Sequence, residues 1–109
     1  MTADQVRELI RIQSTDNLTT TNDHCISLEQ ALVTPQRISV IARLVKDGRM
    51  QDQQIDAWLV GQERSSDGYR IIMRDDDLQF GLASSGFPTD QHLVLDGWYG
   101  DLVSAFLSM

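Results

Sequence analysis

The stretch Asp23-His24-Cys25 combines residue types that serve as thiol nucleophiles and as metal ligands. Adjacent residues on an extended strand point to opposite faces, so the His24 imidazole would not easily reach the Cys25 sulfur. A zinc site takes about four ligands, and the only other histidine is His92. We therefore expect neither a catalytic cysteine nor a metal site at this position.

Three consecutive aspartates, Asp75 to Asp77, form the second candidate for chemistry. An EF-hand calcium loop needs acidic residues at alternate positions, followed by a glycine and a distal glutamate, and this stretch has none of that spacing. Aspartate is common in tight turns because its side chain bonds nearby backbone groups. The pattern therefore predicts a hairpin turn rather than a cation site.

Two further classes of site are disfavoured. The glycines at 81, 86, 97 and 100 do not form a phosphate-binding loop, and no lysine lies near them. Pairs of carboxylates such as Asp56 with Glu63, or Asp96 with Asp101, could catalyse hydrolysis only if burial raised one pKa at a fixed separation. The sequence indicates neither condition, so we expect no cofactor and no catalysis.

Charge and aromatic side chains are unevenly distributed along the chain. The formal net charge is −7, yet the first 74 residues carry ten acidic and all nine basic side chains, a net of −1. Residues 75–109 contain six aspartates, no lysine or arginine, and five of the seven aromatic residues. Such a segment produces a negative field, which argues against nucleic-acid binding and favours a basic partner.

The segment "DGWYGD" (96–101) lies within this acidic part of the chain. Aromatic side chains supply buried contact area at interfaces, and surrounding acids steer a basic protein towards them. One hypothesis is therefore a partner-binding surface; the other is that Trp98, spaced like Leu102 and Phe106 on a helix, fills the core. The predicted partner-binding residues are Phe87, Asp90, Asp96, Trp98, Tyr99 and Asp101.

Length and composition bound the remaining possibilities. A chain of 109 residues with 41% hydrophobic residues suits a single domain with one core. It has one cysteine, Cys25, and no apolar run long enough to span a membrane. The N-terminus lacks the basic and apolar regions of a signal peptide. A cytoplasmic location is the expectation that follows.

The elements that must position these residues begin with a predicted helix over 2–13. Thr2 and Gln5 have the spacing of a capping box, and Val6, Leu9 and Ile10 share one face. Residues 14–36 are predicted to be a polar loop containing a short helical turn. Ser27 and Gln30 would cap that turn.

From residue 37 to 95 the apolar residues recur with period two, which predicts an antiparallel meander of four to five strands. The Asp47-Gly48 pair marks a tight turn between the first two strands. Residues 97–108 return to a helical period, with Asp96 as the predicted cap. The predicted fold is α+β, with an N-terminal helix, the meander, and a C-terminal helix packed on the sheet.

Apolar residues on both faces of several strands indicate that the sheet is covered twice. The cover would be either the two terminal helices on opposite faces, or a helix on one face and a second copy of the chain on the other. A homodimer through the second sheet face is therefore a further expectation.

The sequence favours a small acidic binding module that recognises a basic protein surface, in the manner of inhibitors, immunity proteins or DNA mimics. Two alternatives remain open. One is a small-molecule pocket, with or without catalytic activity, lined by Trp58, Met73, Phe80 and Trp98 with His92 as its titrating group. The other is a homodimer whose acidic face only keeps it in solution.

Overall fold

A computed structural model describes residues 1–23, 25–63, 68–85 and 93–109. It is an α+β fold with an N-terminal helix, a mixed sheet and a short C-terminal helix. The elements are α1 (Ala3–Ser14), α2 (Leu28–Ala31), β1 (Leu32–Lys46), β2 (Arg49–Gln62), β3 (Arg70–Met73), β4 (Phe80–Ser85), β5 (Leu93–Gly100) and α3 (Leu102–Leu107).

Two of the three predicted helix starts, those at Thr2 and Ser27, are confirmed. The Thr2 side chain accepts a bond from the backbone N–H of Gln5, whose own side chain accepts from the backbone N–H of Thr2. Ser27 and Gln30 form the same reciprocal pair at the start of α2. These bonds satisfy donors that the first turn of a helix otherwise leaves free, which is why short polar motifs specify helix starts locally.

The sheet closes on itself in the order β1-β2-β3-β4-β5. Consecutive strands pair antiparallel, but β5 also pairs parallel with β1, at Val40 with Leu93 and at Ile41 with Val94. The antiparallel-only meander is therefore corrected to a mixed sheet. The reason is geometric: when an odd number of strands alternates in direction, the first and last run the same way and can close only in parallel.

Strand boundaries also differ from the prediction. β1 begins at Leu32, inside the predicted polar loop 14–36, and its pairing with β2 is irregular between Leu32 and Gln36. An isolated bridge between Thr21 and Ser27 adds an extended pair outside the sheet that the prediction did not include. The start of β1 is set by its pairing with β2 rather than by the local periodicity of its sequence.

The predicted helix over 97–108 is also corrected, because residues 97–100 belong to β5 and α3 spans only Leu102–Leu107. The aromatic and apolar residues of this stretch have helical spacing, but β4 offers a ladder partner along this part of β5. Gly97 and Gly100 lower the helix propensity of the stretch, and Gly100, at φ +84°, ends the strand in a conformation that glycine adopts without strain.

Two apolar clusters lie on the two faces of the sheet. The first contains residues of all three helices, including Val6, Leu28 and Phe106, packed on strand residues such as Phe80. The second takes its residues from all five strands and none from a helix. Among the described residues the second cluster is thus formed by the strands alone, which corrects the predicted cover by terminal helices on opposite faces; a homodimer through the second face stays a prediction.

The period of two predicted for residues 37–95 is confirmed in β2: Ile55 and Ala57 pack on the second cluster, whereas Trp58 and Val60 belong to the first. The Asp47-Gly48 turn is confirmed as well, since both residues have positive φ, at +54° and +74°. That is the backbone of the tight hairpin turns whose twist suits paired strands. β1 and β2 therefore form one long hairpin.

Candidate functional site

The segment "DGWYGD" lies at the end of β5 and the beginning of α3, and two β-bulges shape it. Leu82 pairs with Gly97 while Ala83 pairs with Leu95, so Asp96 has no residue of β4 opposite it. Phe80 pairs with Gly100 while Gly81 pairs with Trp98, so Tyr99 is likewise an extra residue. Bulges bend a strand and redirect side chains, and they are frequent beside functional sites.

The two aromatic side chains of the segment have different surroundings. Trp98 is partly buried against the second cluster, and its ring lies directly over Gly81, where a Cβ would come within 2.6 Å of the ring atom Cε3. Tyr99 is 39% exposed, and its hydroxyl end lies close to Gly97. Tyr99 is therefore accessible to a partner, whereas Trp98 packs against the second cluster beneath the exposed residues of this segment.

Asp101, rather than Asp96, caps the C-terminal helix. Its Oδ1 accepts the backbone N–H of Ser104 at 2.7 Å, and this bond holds the pKa of Asp101 below its usual range. Gln13 of α1 accepts the backbone N–H of Leu102 at 2.8 Å, so two side chains satisfy the start of α3. The Asp101 carboxylate is held in place by its cap bond and remains exposed.

Asp96 lies at the surface on the first bulge. Its Oδ1 accepts a hydrogen bond from the Ser84 hydroxyl at 3.2 Å. Partial burial raises the pKa of Asp96, and the Ser84 bond only partly opposes that shift. A carboxylate that has lost part of its hydration gains more from a cationic partner than a fully solvated one does. We name Asp96, Trp98, Tyr99 and Asp101 together the β5–α3 surface.

Folding brings two arginines onto the aspartate turn. Arg37 of β1 bonds Asp75 at 2.6 Å, and Arg74 bonds Asp77 through its Nε at 3.0 Å. Two of the six aspartates in the cation-free segment are therefore paired with cations from outside it, which weakens the charge asymmetry apparent in the sequence. The close spacing of Arg74 and Asp77 in the sequence could indicate their ion pair. Nothing in the local sequence indicates that Arg37 pairs with Asp75.

Each of these arginines also lies over a tryptophan ring. The Arg37 Cζ is 5.0 Å from the centroid of Trp58, and the Arg74 Cζ is 4.4 Å from that of Trp98. The Trp58 indole N–H donates to Asp75 at 2.7 Å. Guanidinium over an aromatic face is a favourable arrangement, and here it holds both arginines beside the turn.

A groove of about 380 Å³ lies along the part of β2 that precedes its pairing with β3. Its walls are mostly charged or amide side chains: Arg37, Gln53, Gln54, Ile55, Asp56, Arg74, Asp75 and Asp76. Met73 and Phe80, predicted to line a pocket, are fully buried in the first cluster, and Trp58 is buried with them. None of the residues predicted to line a small-molecule pocket, Trp58, Met73, Phe80 and Trp98, is among the lining residues of this groove.

Some predicted residues fall outside the described ranges. Phe87 and Asp90 of the predicted partner-binding set do so, as do His24 and His92. Cys25 is exposed and has a positive φ of +61°. Among the residues that the structure describes, no three His, Cys, Asp or Glu side chains are grouped so that they could hold a metal ion. None of the described helices has the length and apolar character needed to cross a membrane.

Comparison of the chain with protein-family models, with curated proteins and with solved structures found no match.

Proposed function

We propose that this chain is a non-catalytic binding module whose β5–α3 surface recognises a basic region of another protein. The observation that carries the proposal is the pair of bulges in β5, which take Asp96 and Tyr99 out of register with β4. Both residues are exposed, and the exposed Asp101 follows them in the chain. An accessible aromatic residue with an exposed aspartate before and after it in the chain suits a lysine or arginine side chain, which can contact the ring and pair with an acid.

The charge around this surface supports the same function. Asp75 and Asp77 are paired with arginines, whereas Asp96 accepts a hydrogen bond from the Ser84 hydroxyl and Asp101 accepts one from a backbone N–H, both neutral donors. An acidic surface accelerates encounter with a basic protein, and added salt slows that encounter. Phe87 and Asp90, which precede β5 in the chain, are proposed as additional contacts.

The test is affinity capture from a lysate of the source organism, followed by a measured Kd for the purified partner. The surface variant is Asp96→Asn with Tyr99→Ala and Asp101→Asn. Asparagine at 101 keeps a cap acceptor for α3 while removing the charge. A matched control changes three exposed residues of similar kind elsewhere: Ile12→Ala, Asp16→Asn and Glu29→Gln.

A basic partner should bind wild type and the matched control equally and lose affinity at high salt. The surface variant should weaken its binding by at least about tenfold, as expected for loss of an aromatic anchor and two charges. Circular dichroism would verify that every variant is folded. Equal binding by the surface variant and the control would contradict the proposal.

A further inference from the structure

The long β1–β2 hairpin continues beyond the closed sheet. Among the described residues, β1 pairs with β5 only at Val40 and Ile41, and β2 pairs with β3 only from Trp58 onward. Residues 43–52, which we name the arm, therefore have no pairing partners in the described part of the chain except each other. Arg43 and residues 45–52 are exposed. The arm extends about 13 Å in four ladder positions, at roughly 3.3 Å per residue.

The arm carries an apolar pair that the rest of the molecule leaves uncovered. Val45 and Met50 face each other across the two strands and are 76% and 69% exposed. A two-stranded ribbon without a packed face is marginally stable in water. Contact of this pair with a further surface would bury apolar area and stabilise the ribbon.

The charges of the arm differ in sign from those of the remaining chain. The arm contains three basic and two acidic side chains, so the other 99 residues carry a net −8. Arg43 is near Asp52, with 3.7 Å between Nε and Oδ1. Lys46 lies directly opposite Arg49 next to the turn, and like charges in that arrangement repel. An acidic surface placed against them would relieve this repulsion.

We propose that the arm docks on the β5–α3 surface of a second copy of this chain, and that the second copy's arm docks reciprocally on the first. Lys46 and Arg49 would face Asp96 and Asp101, and the apolar pair of the arm would contact Tyr99. Methionine beside an aromatic ring is a favourable contact. The proposal rests on the proposed function, because it uses the same surface and names a partner for it.

Two other arrangements of the arm are disfavoured. Pairing of two arms with each other would bring Lys46 and Arg49 of both copies together, and the like charges would repel. Docking of the arm on its own chain does not occur in the structure, where residues 45–52 are exposed. Reciprocal docking, in contrast, buries two arms at once and forms a closed two-fold pair.

A charge exchange tests the proposal by sedimentation equilibrium of the full chain at about 0.05 and 0.5 M salt. The arm variant is Lys46→Glu with Arg49→Glu, and a second, charge-reversed surface variant is Asp96→Lys with Asp101→Asn. Wild type should dimerise at low salt, and each variant alone should dimerise at least about tenfold more weakly because its arm and surface then repel. An equimolar mixture of the two variants should form a heterodimer, because each arm then meets a surface of opposite charge.

Recovery in the mixture also shows that both variants are folded, and circular dichroism would check each one alone. A monomeric wild type at low salt would overturn the proposal, as would variants that dimerise like wild type or a mixture of folded variants that stays monomeric. The proposed function is tested separately, by measuring whether the arm variant captures a basic partner. Its surface is intact and no arm competes for it, so it should bind that partner at least as tightly as wild type does, whether or not wild type dimerises.

Discussion

Trp58 and Trp98 are each covered by an arginine that bonds an aspartate of the 75–77 turn, yet the two sites are built differently. Trp58 is 6% exposed within the helix-covered cluster, and its indole N–H is bonded to Asp75. Trp98 is only partly buried, lies on the cluster formed by strands, and precedes the bulged Tyr99. The first site anchors the core, whereas the second connects the core to an exposed surface.

The difference shows that an arginine over a tryptophan does not by itself identify a functional site. In the Trp58 site, Asp75 accepts from both the indole and Arg37, so the carboxylate joins a buried ring to the surface. In the Trp98 site, Arg74 bonds Asp77 instead, and the Arg74 guanidinium holds the pKa of Asp77 below its usual range. The predictions below test how far the two sites differ.

The largest expected effect is that of Trp58→Ala, which should lower the free energy of unfolding by about 3–5 kcal/mol, as for other aromatic residues removed from a core. Trp98→Ala should cost about 1–2 kcal/mol, because less apolar area is buried there. Urea unfolding followed by circular dichroism measures both. Equal losses would show that Trp98 is as much a core residue as Trp58.

The next effect concerns the glycine beneath Trp98. A Cβ at Gly81 would lie 2.5 Å from the carbonyl oxygen of Gly97 and 2.6 Å from the Trp98 ring, so Gly81→Ala should destabilise the chain by about 1–3 kcal/mol. Gly97→Ala serves as the control, because its Cβ would meet the movable hydroxyl end of Tyr99 at 3.3 Å. Thermal unfolding should show a larger loss of stability for Gly81→Ala than for Gly97→Ala. A larger loss for Gly97→Ala would mean that the Trp98 ring does not lie over Gly81.

Asp75→Ala should cost about 1–3 kcal/mol, since the buried Trp58 N–H would lose its acceptor. Asp75→Asn should cost less, because the amide oxygen can still accept that hydrogen bond. Asp77→Ala removes an exposed ion pair with Arg74 and an exposed hydrogen bond from the Gln79 backbone N–H, and it should have the smallest effect of the three. Chemical unfolding of the three variants in parallel gives the ranking, and a loss from Asp77→Ala as large as that from Asp75→Ala would contradict the distinction between the sites.

The smallest expected effect is that of Asp96→Asn on the unfolding free energy. Because burial raises the pKa of Asp96, the folded chain binds this proton more tightly than the unfolded chain does. The carboxyl therefore contributes stability below an unfolded pKa of about 3.9, and that contribution is lost as the pH rises through the raised folded pKa. Asp96→Asn should accordingly be slightly more stable than wild type at neutral pH.

In acid this difference should shrink, because the Asp96 carboxyl of the wild type is then protonated in both states. Unfolding of the two proteins at about pH 3 and pH 7 measures it. A variant that is less stable than wild type at neutral pH would show that the ionised carboxylate stabilises the fold. Its role on the surface would then be structural rather than reserved for a partner.

Local features of the fold could be predicted from the sequence because they depend on neighbouring residues. The capping boxes at Thr2 and Ser27 and the Asp47-Gly48 turn involve side chains and backbone groups within a few positions of each other. The alternation in β2 follows from the period of a strand. For the candidate site, sequence composition indicated Tyr99, Asp96 and Asp101, but it did not indicate their backbone arrangement.

The sequence by itself determined the first two helix starts, the hairpin turn and the uneven distribution of charge. Only the tertiary structure decided that residues 97–100 form a strand, because the ladder partner that outweighs their helical spacing comes from β4. It likewise decided that the sheet closes through β1 and β5, and that Arg37 pairs with Asp75. These contacts join residues distant in the chain, and their energies depend on positions that no local pattern specifies.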